Sequence, residues 1–191
     1  MKLSGNISSK ILVIGCFHGD EPQGNFLIGT YLKNFPQTNL AFIQCLNEYG
    51  FKNNVRVNEN GVDLNRNFPT LNWVLSKKDE FFGGESPASE KQTQFVINTV
   101  EKLNPKLILT LHAPYKVVNY DGDGLEIAQK ISEIINYPVE SSIGYPTPGS
   151  FGTWAGIERK IPVITLELDE EIDVKELEKP VFEIFDMLEK L

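Results

Sequence analysis

Ile11-Leu12-Val13-Ile14-Gly15-Cys16-Phe17 is an unbroken apolar run, and it leads straight into His18-Gly19-Asp20-Glu21-Pro22. A short continuous apolar run bounded by turn residues suits a strand buried on both faces, as in a parallel sheet. Pro22 suits an early helical position, so a helix is expected from about Glu21-Pro22 to about Phe35. Further apolar runs at 40–46, 107–111 and 161–168 alternate with helical patterns. The expectation is an α/β fold, a single domain over residues 1–191, with a mostly parallel (mixed) sheet flanked by helices on both faces.

The helical patterns are specific. Ser86-Pro87-Ala88-Ser89 reads as a cap with proline at the first helical position, followed by an apolar stripe of Phe95, Val96, Thr99, Val100 and Leu103. Asp121-Gly122-Asp123-Gly124 reads as a turn before a helix bearing Leu125, Ala128, Ile131 and Ile135. Val174, Leu177, Val181, Ile184, Phe185 and Leu188 share a final apolar face, which Pro180 either kinks or begins. From about Leu46 to Ser86 apolar periodicity fades while Asn, Gly, Arg and Pro abound, and long irregular segments in compact domains are usually functional.

Composition narrows the partners. The chain carries 18 Lys and Arg against 26 Asp and Glu, a net charge of −8, which argues against nucleic acid or an anionic membrane. The amino terminus lacks the apolar core of a signal peptide and the run at 11–17 is too short to span a bilayer, so a cytoplasmic location is expected. Cys16 and Cys45 are the only cysteines and read as buried, reduced thiols. Nothing in the pattern specifies an oligomeric state.

The chain has just two histidines, and each ends an apolar run: His18 after 11–17 and His112 after 107–111. In an open α/β sheet, ligands bind in the crevice at the carboxyl ends of the strands, so both imidazoles are expected to share one site. Glu21 follows His18 by three residues, and Val163-Ile164-Thr165-Leu166 delivers Glu167. Two imidazoles and two carboxylates so placed suit a catalytic zinc centre with three protein ligands, an open position for water and a base beside it. A histidine and glutamate at this spacing, taken alone, suit equally a surface histidine near a helix start, with Glu21 favouring the dipole. The matching position of His112 shifts the balance towards metal. Between Arg56 and Pro69 lie two arginines and four asparagines, which could form a plain polar loop or a set of donors for a carboxylate or oxyanion.

His18-Gly19-Asp20-Glu21, then Gly61-Val62-Asp63-Leu64-Asn65-Arg66-Asn67-Phe68, then Leu111-His112, then Thr165-Leu166-Glu167 resemble, in order and character, the zinc carboxypeptidase family of the carboxypeptidase A type. Gly83-Gly84-Glu85-Ser86-Pro87-Ala88-Ser89-Glu90, Leu111-His112-Ala113-Pro114 and the stretch from Pro148 to Gly156 look like the short bacterial murein peptide amidases within it. The resemblance implies a zinc carboxypeptidase-like fold and one Zn2+ ion held by His18, Glu21 and His112. It implies Glu167 as general base and acid, Arg56 as the group polarising the scissile carbonyl, and Asn65 and Arg66 as holders of a substrate carboxylate. Tyr145 is the best match to a mobile tyrosine that closes over substrate, at a slightly different spacing from the family's. Asp63 is expected to orient the loop or a ligand histidine. Phe151 and Trp154 are expected in the core rather than the pocket.

The implied reaction is hydrolysis of an amide in a small carboxylate-bearing peptide, at the γ-D-glutamyl–diaminopimelate bond of murein tripeptide. Zinc would lower the pKa of a bound water to about 7 and polarise the carbonyl. Competing readings are a general carboxypeptidase, an N-acyl amino acid deacylase of the succinylglutamate desuccinylase or aspartoacylase type, and a binding module without turnover. Retention of Glu167 and Arg56 speaks against the last, because holding zinc requires neither.

Overall fold

In the computed structural model, which describes residues 1–141 and 144–191, the chain opens with a short strand, β1 (Leu3–Gly5). The first apolar run becomes β2 (Ile11–Gly15), buried throughout. Cys16 leaves it in the left-handed region, at φ 55°, a conformation that costs a non-glycine residue about 1 kcal/mol. Helix α1 (Gln23–Asn34) follows, then β3 (Ala41–Ile43) and a short helix, α2 (Glu48–Asn53). After a long loop containing one 3₁₀ turn at Leu64–Arg66 come α3 (Lys91–Leu103), β4 (Leu107–His112) and β5 (Val117–Asp121). The chain ends through α4 (Leu125–Ile135), β6 (Val139–Glu140), a π-helical turn at Thr153–Ile157, β7 (Val163–Glu167) and α5 (Glu178–Leu188).

The strands form one mixed sheet in the order β1-β3-β2-β4-β7-β5-β6. β2 runs parallel to β3 and β4, and β4 parallel to β7, whereas β5 turns back antiparallel to β7. Register brings Gly15 opposite Leu111 and His112 opposite Glu167, so β2, β4 and β7 finish along one edge. Side chains alternate across each strand. Val13, Leu109, Ile164 and Leu166 face a core with Leu27, Ile131 and Phe185 from α1, α4 and α5. Leu12, Ile14, Ile108 and Val163 face a second core with Val96 and Val100 of α3 and an aromatic set, Phe17, Phe68, Phe151 and Trp154. Both faces are therefore covered, the condition under which parallel strands read as continuous apolar runs.

Two local expectations need correction. The third helix begins at Lys91, not at Ser86-Pro87, because Ala88 takes φ 54° and the segment folds as a turn around Asn67. The buried Asn67 amide donates to the carbonyls of Gly83 and Ser86 and to Ser89 Oγ, and its Oδ1 accepts from Glu90 N–H at 3.2 Å. Pro180 proves to be a start rather than a kink: it lies in the first turn of α5, where its missing N–H breaks no helical bond.

The turn after β2 is packed against α2. Gly19 N–H donates to the Arg56 carbonyl at 3.2 Å, and a Cβ at position 19 would lie 2.0 Å from the Gly50 carbonyl carbon. Backbone cannot step aside as a flexible side chain can. Gly19→Ala should therefore destabilise the fold by about 1–3 kcal/mol, read as a lower urea midpoint at unchanged slope. An unchanged midpoint would contradict the close approach.

Candidate active site

His18 lies just past the end of β2, Glu21 just before α1, and His112 is the last residue of β4. All three are buried. His18 Nδ1 is 2.6 Å from Glu21 Oε1, and His112 Nδ1 is 2.9 Å from Glu21 Oε2. One donor atom from each residue falls within a cluster no wider than 4.8 Å, an N, N, O set that suits a divalent cation such as zinc. Phe17, fully buried, stacks on His112 with ring centroids 5.4 Å apart and fixes that ring from the core side.

Asp63 holds the other histidine. Its Oδ1 sits 3.1 Å from His18 Nε2 and accepts Asn65 N–H at 2.8 Å, while its Oδ2 accepts from Arg56 Nε and Nη2 at 3.1 and 2.9 Å. A proton on Nε2 facing this carboxylate leaves the Nδ1 lone pair aimed at the cluster, the arrangement that orients metal-binding imidazoles. The expected orienting role of Asp63 is thus matched by its contacts.

Electrostatics favour a cation here. Burial would lower the His18 pKa, but Glu21 and Asp63 outweigh it and raise the imidazole to about 9. Burial likewise opposes ionisation of Glu21 and Asp63, yet the surrounding positive groups hold both carboxylates well below their ordinary range. The cluster therefore demands positive charge, which a proton on His18 can meet and a divalent ion can meet in its place.

Glu167, at the end of β7, stands opposite His112 in register and is 6 % exposed. Burial pushes its pKa up, and its Oε2 has no hydrogen-bond partner among the described residues. A buried acceptor without a partner is costly, so this atom is placed to serve a bound molecule. These residues line a cavity of about 610 Å³.

The remaining sequence candidates also reach that cavity. Arg56 spends two donors on Asp63, holds Nη1 3.7 Å from Glu21 Oε1 and lies over the Phe81 ring. Arg66 is buried and donates from Nη1 to the Asn65 carbonyl at 2.7 Å. Asn65 Oδ1 accepts Phe151 N–H at 2.9 Å, which leaves its NH2 end as the donor for a ligand. Tyr145 is 42 % exposed at the rim, with its phenol pKa raised by burial and by a hydrogen bond to Tyr115. Phe151 and Trp154 lie in the core, as expected. Cys16 and Cys45 are free; Cys16 is buried and donates from Sγ to the Glu21 carbonyl at 3.4 Å, whereas Cys45 is only partly buried, and the neighbouring Cys45 thiol together with burial pushes the Cys16 thiol up. Sequence reading missed Asn119 and Asp121, which line the cavity beside Thr165. Their signal was the alternation Val117, Asn119, Asp121, visible once 117–121 is known to be a strand.

Residues 14–92 match a family described as "Protein of unknown function (DUF2817)". Over 175 residues the chain is 30% identical to murein peptide amidase A of Vibrio campbellii (strain ATCC BAA-1116), spanning 84% of this chain and 70% of that protein. It is 28% identical over 191 residues to murein peptide amidase A of Escherichia coli (strain K12), spanning 93% and 78%. The crystal structure of murein-tripeptide amidase MpaA from Escherichia coli O157 matches with a TM-score of 0.83 at 27% identity, over 97% of this chain and 83% of that one. Bovine thrombin-activatable fibrinolysis inhibitor shares the fold, with a TM-score of 0.72 at 18% identity over 95% and 84%.

Removing the group behind His18 tests the site as built. Asp63→Ala should weaken zinc binding by roughly 10–100-fold, measured by competition with a chromogenic chelator. Wild-type affinity in that variant would show that His18 needs no such support.

Proposed function

The chain belongs to the murein peptide amidase A family, hydrolytic enzymes of zinc carboxypeptidase type, and on that premise we propose that it cleaves the γ-D-glutamyl–diaminopimelate amide of murein tripeptide, using one zinc ion held by His18, Glu21 and His112. The observation that carries this reading is the meeting of three donor atoms beside a buried carboxylate oxygen without a partner, Glu167 Oε2. Zinc, when bound, supplies a Lewis acid and an acidified water.

The protein's own residues account for the other requirements. Glu167 accepts a proton from the attacking water and passes it to the leaving nitrogen; its raised pKa keeps it a strong enough base for the first transfer and a usable acid for the second. Arg56, held in place by Asp63, donates to the carbonyl oxygen as negative charge grows on it. The Asn65 NH2 and the Arg66 guanidinium hold the carboxylate of the leaving residue, which suits a basic clamp in a chain of net charge −8. Tyr145 closes over the bound peptide from the cavity rim.

Zinc-loaded protein incubated with synthetic L-alanyl-γ-D-glutamyl-meso-diaminopimelate should release diaminopimelate, detected by mass spectrometry. Glu167→Gln should retain the metal while the rate falls by about 100-fold or more. Hydrolysis of N-acetylaspartate or N-succinylglutamate with no diaminopimelate released would reassign the protein to the deacylases. A Glu167→Gln variant as fast as wild type would remove Glu167 as the base.

A further inference from the structure

Outside the catalytic cavity, the chain's only two cysteines are neighbours in space although 29 positions separate them (45 minus 16). β2 and β3 run parallel in register, with Leu12 beside Ala41, Val13 beside Phe42 and Ile14 beside Ile43. Past the last of these pairs, Leu46 N–H donates to the Gly15 carbonyl at 3.1 Å and Asn47 N–H to the Cys16 carbonyl at 2.9 Å. A Cβ on Gly15 would lie 2.8 Å from the Gln44 carbonyl oxygen, so the two segments stay in close contact up to the cysteines. Neighbouring strands run about 4.8 Å apart, inside the Cα separation of roughly 4.4–6.8 Å that a disulfide spans. Each thiol is the largest influence on the acidity of the other, raising the pKa of Cys16 and lowering that of Cys45.

The two sulfurs differ in access and in attachment. Cys45 is only partly buried, whereas Cys16 is fully buried. Cys16 Sγ donates to the Glu21 carbonyl at 3.4 Å. Its backbone, at φ 55°, turns the chain out of β2 two residues before His18. One thiol is thus open to small molecules from solvent, and the other is tied to the segment that carries two of the three proposed zinc ligands. The proposed hydrolysis uses neither.

We propose that Cys16 and Cys45 are a reversible oxidation site for peroxides, and that the disulfide they form weakens metal binding by His18, Glu21 and His112. The Cys45 sulfur attacks as thiolate and breaks the peroxide O–O bond. It keeps one oxygen as a sulfenic acid, and the other leaves with the thiol proton as water. The Cys16 sulfur then displaces the sulfenic oxygen, which leaves as water with the Cys16 proton. Two thiols and one peroxide give one disulfide and two waters, and two electrons pass from sulfur to oxygen.

This step takes away the proton that Cys16 donates to the Glu21 carbonyl and draws Sγ towards position 45. The Glu21 carboxylate is the group lying between both imidazoles, so a shift of its backbone moves the centre of the cluster. Contacts that orient metal ligands are worth roughly 10–100-fold in affinity. The effect on the metal rests on the proposed zinc site, whereas the disulfide itself is read without metal.

The purified protein, before and after a small excess of hydrogen peroxide, provides the test. Free thiols are counted by a chromogenic thiol reagent after denaturation, the bond by intact mass, and zinc affinity by competition with a chromogenic chelator. Wild type should lose both thiols, become lighter by two hydrogens, and bind zinc roughly 10–100-fold more weakly. Dithiothreitol should reverse all three changes. With no other cysteine in the chain, a disulfide within the monomer has a single assignment. Cys45→Ser leaves the Cys16 bond to Glu21 in place and should keep its zinc affinity through the same treatment. Thiols that survive peroxide, a disulfide that leaves zinc affinity unchanged, or an equal loss of affinity in Cys45→Ser would each overturn the proposal. A wild type that binds no zinc before oxidation would sink the metal assignment and the switch with it, while the thiol count separately shows whether the disulfide forms.

Discussion

The Glu21 carboxylate lies between two imidazole nitrogens, 2.6 Å from one and 2.9 Å from the other, and the surrounding structure can be read as what that contact requires. The two histidines are 94 positions apart in the chain (112 minus 18) and meet because β2 and β4 are parallel neighbours that end together. Glu21 reaches them because the turn after β2 is tight, with Gly19 against Gly50 and Cys16 in the left-handed region. Without both, three buried polar groups would face apolar walls at a cost of several kcal/mol.

The same contact sets the electrostatics of the cavity. A chain with an excess of acid gathers Arg56 and Arg66 beside its buried carboxylates, and Asp63 ties Arg56 to His18. Arg56 thereby acts on both sides of the proposed chemistry, steadying a histidine through Asp63 while lining the space where the substrate carbonyl would sit. The antiparallel turn-back of β5 extends the cavity away from the cluster and lines it with Asn119 and Asp121 in place of apolar residues.

Much of this was legible in the sequence, for a physical reason. Parallel strands buried on both faces leave continuous apolar runs, so β2, β4 and β7 announced themselves, and a polar residue ending such a run must point at the crevice. His18, His112 and Glu167 were readable on that ground, whereas the burial of Phe151 and Trp154 was readable from the habit of large aromatics to pack into the core. β5 was not, because Asn119 and Asp121 face a polar cavity and interrupt the pattern that marks a strand. The start of α3 was misplaced because Asn67, distant in sequence, satisfies the Ser86–Ser89 backbone and holds it as a turn. Side-chain capping across such a separation leaves no local signal.

The central claim is that His18, Glu21 and His112 together bind one divalent ion, and metal content measures it most directly. Wild-type protein dialysed against trace zinc should hold about one ion per chain by plasma mass spectrometry, and His112→Ala, folded by circular dichroism, should hold far less, since it loses one of only three protein ligands. Equal occupancy in the two proteins, or none in wild type, would contradict the account.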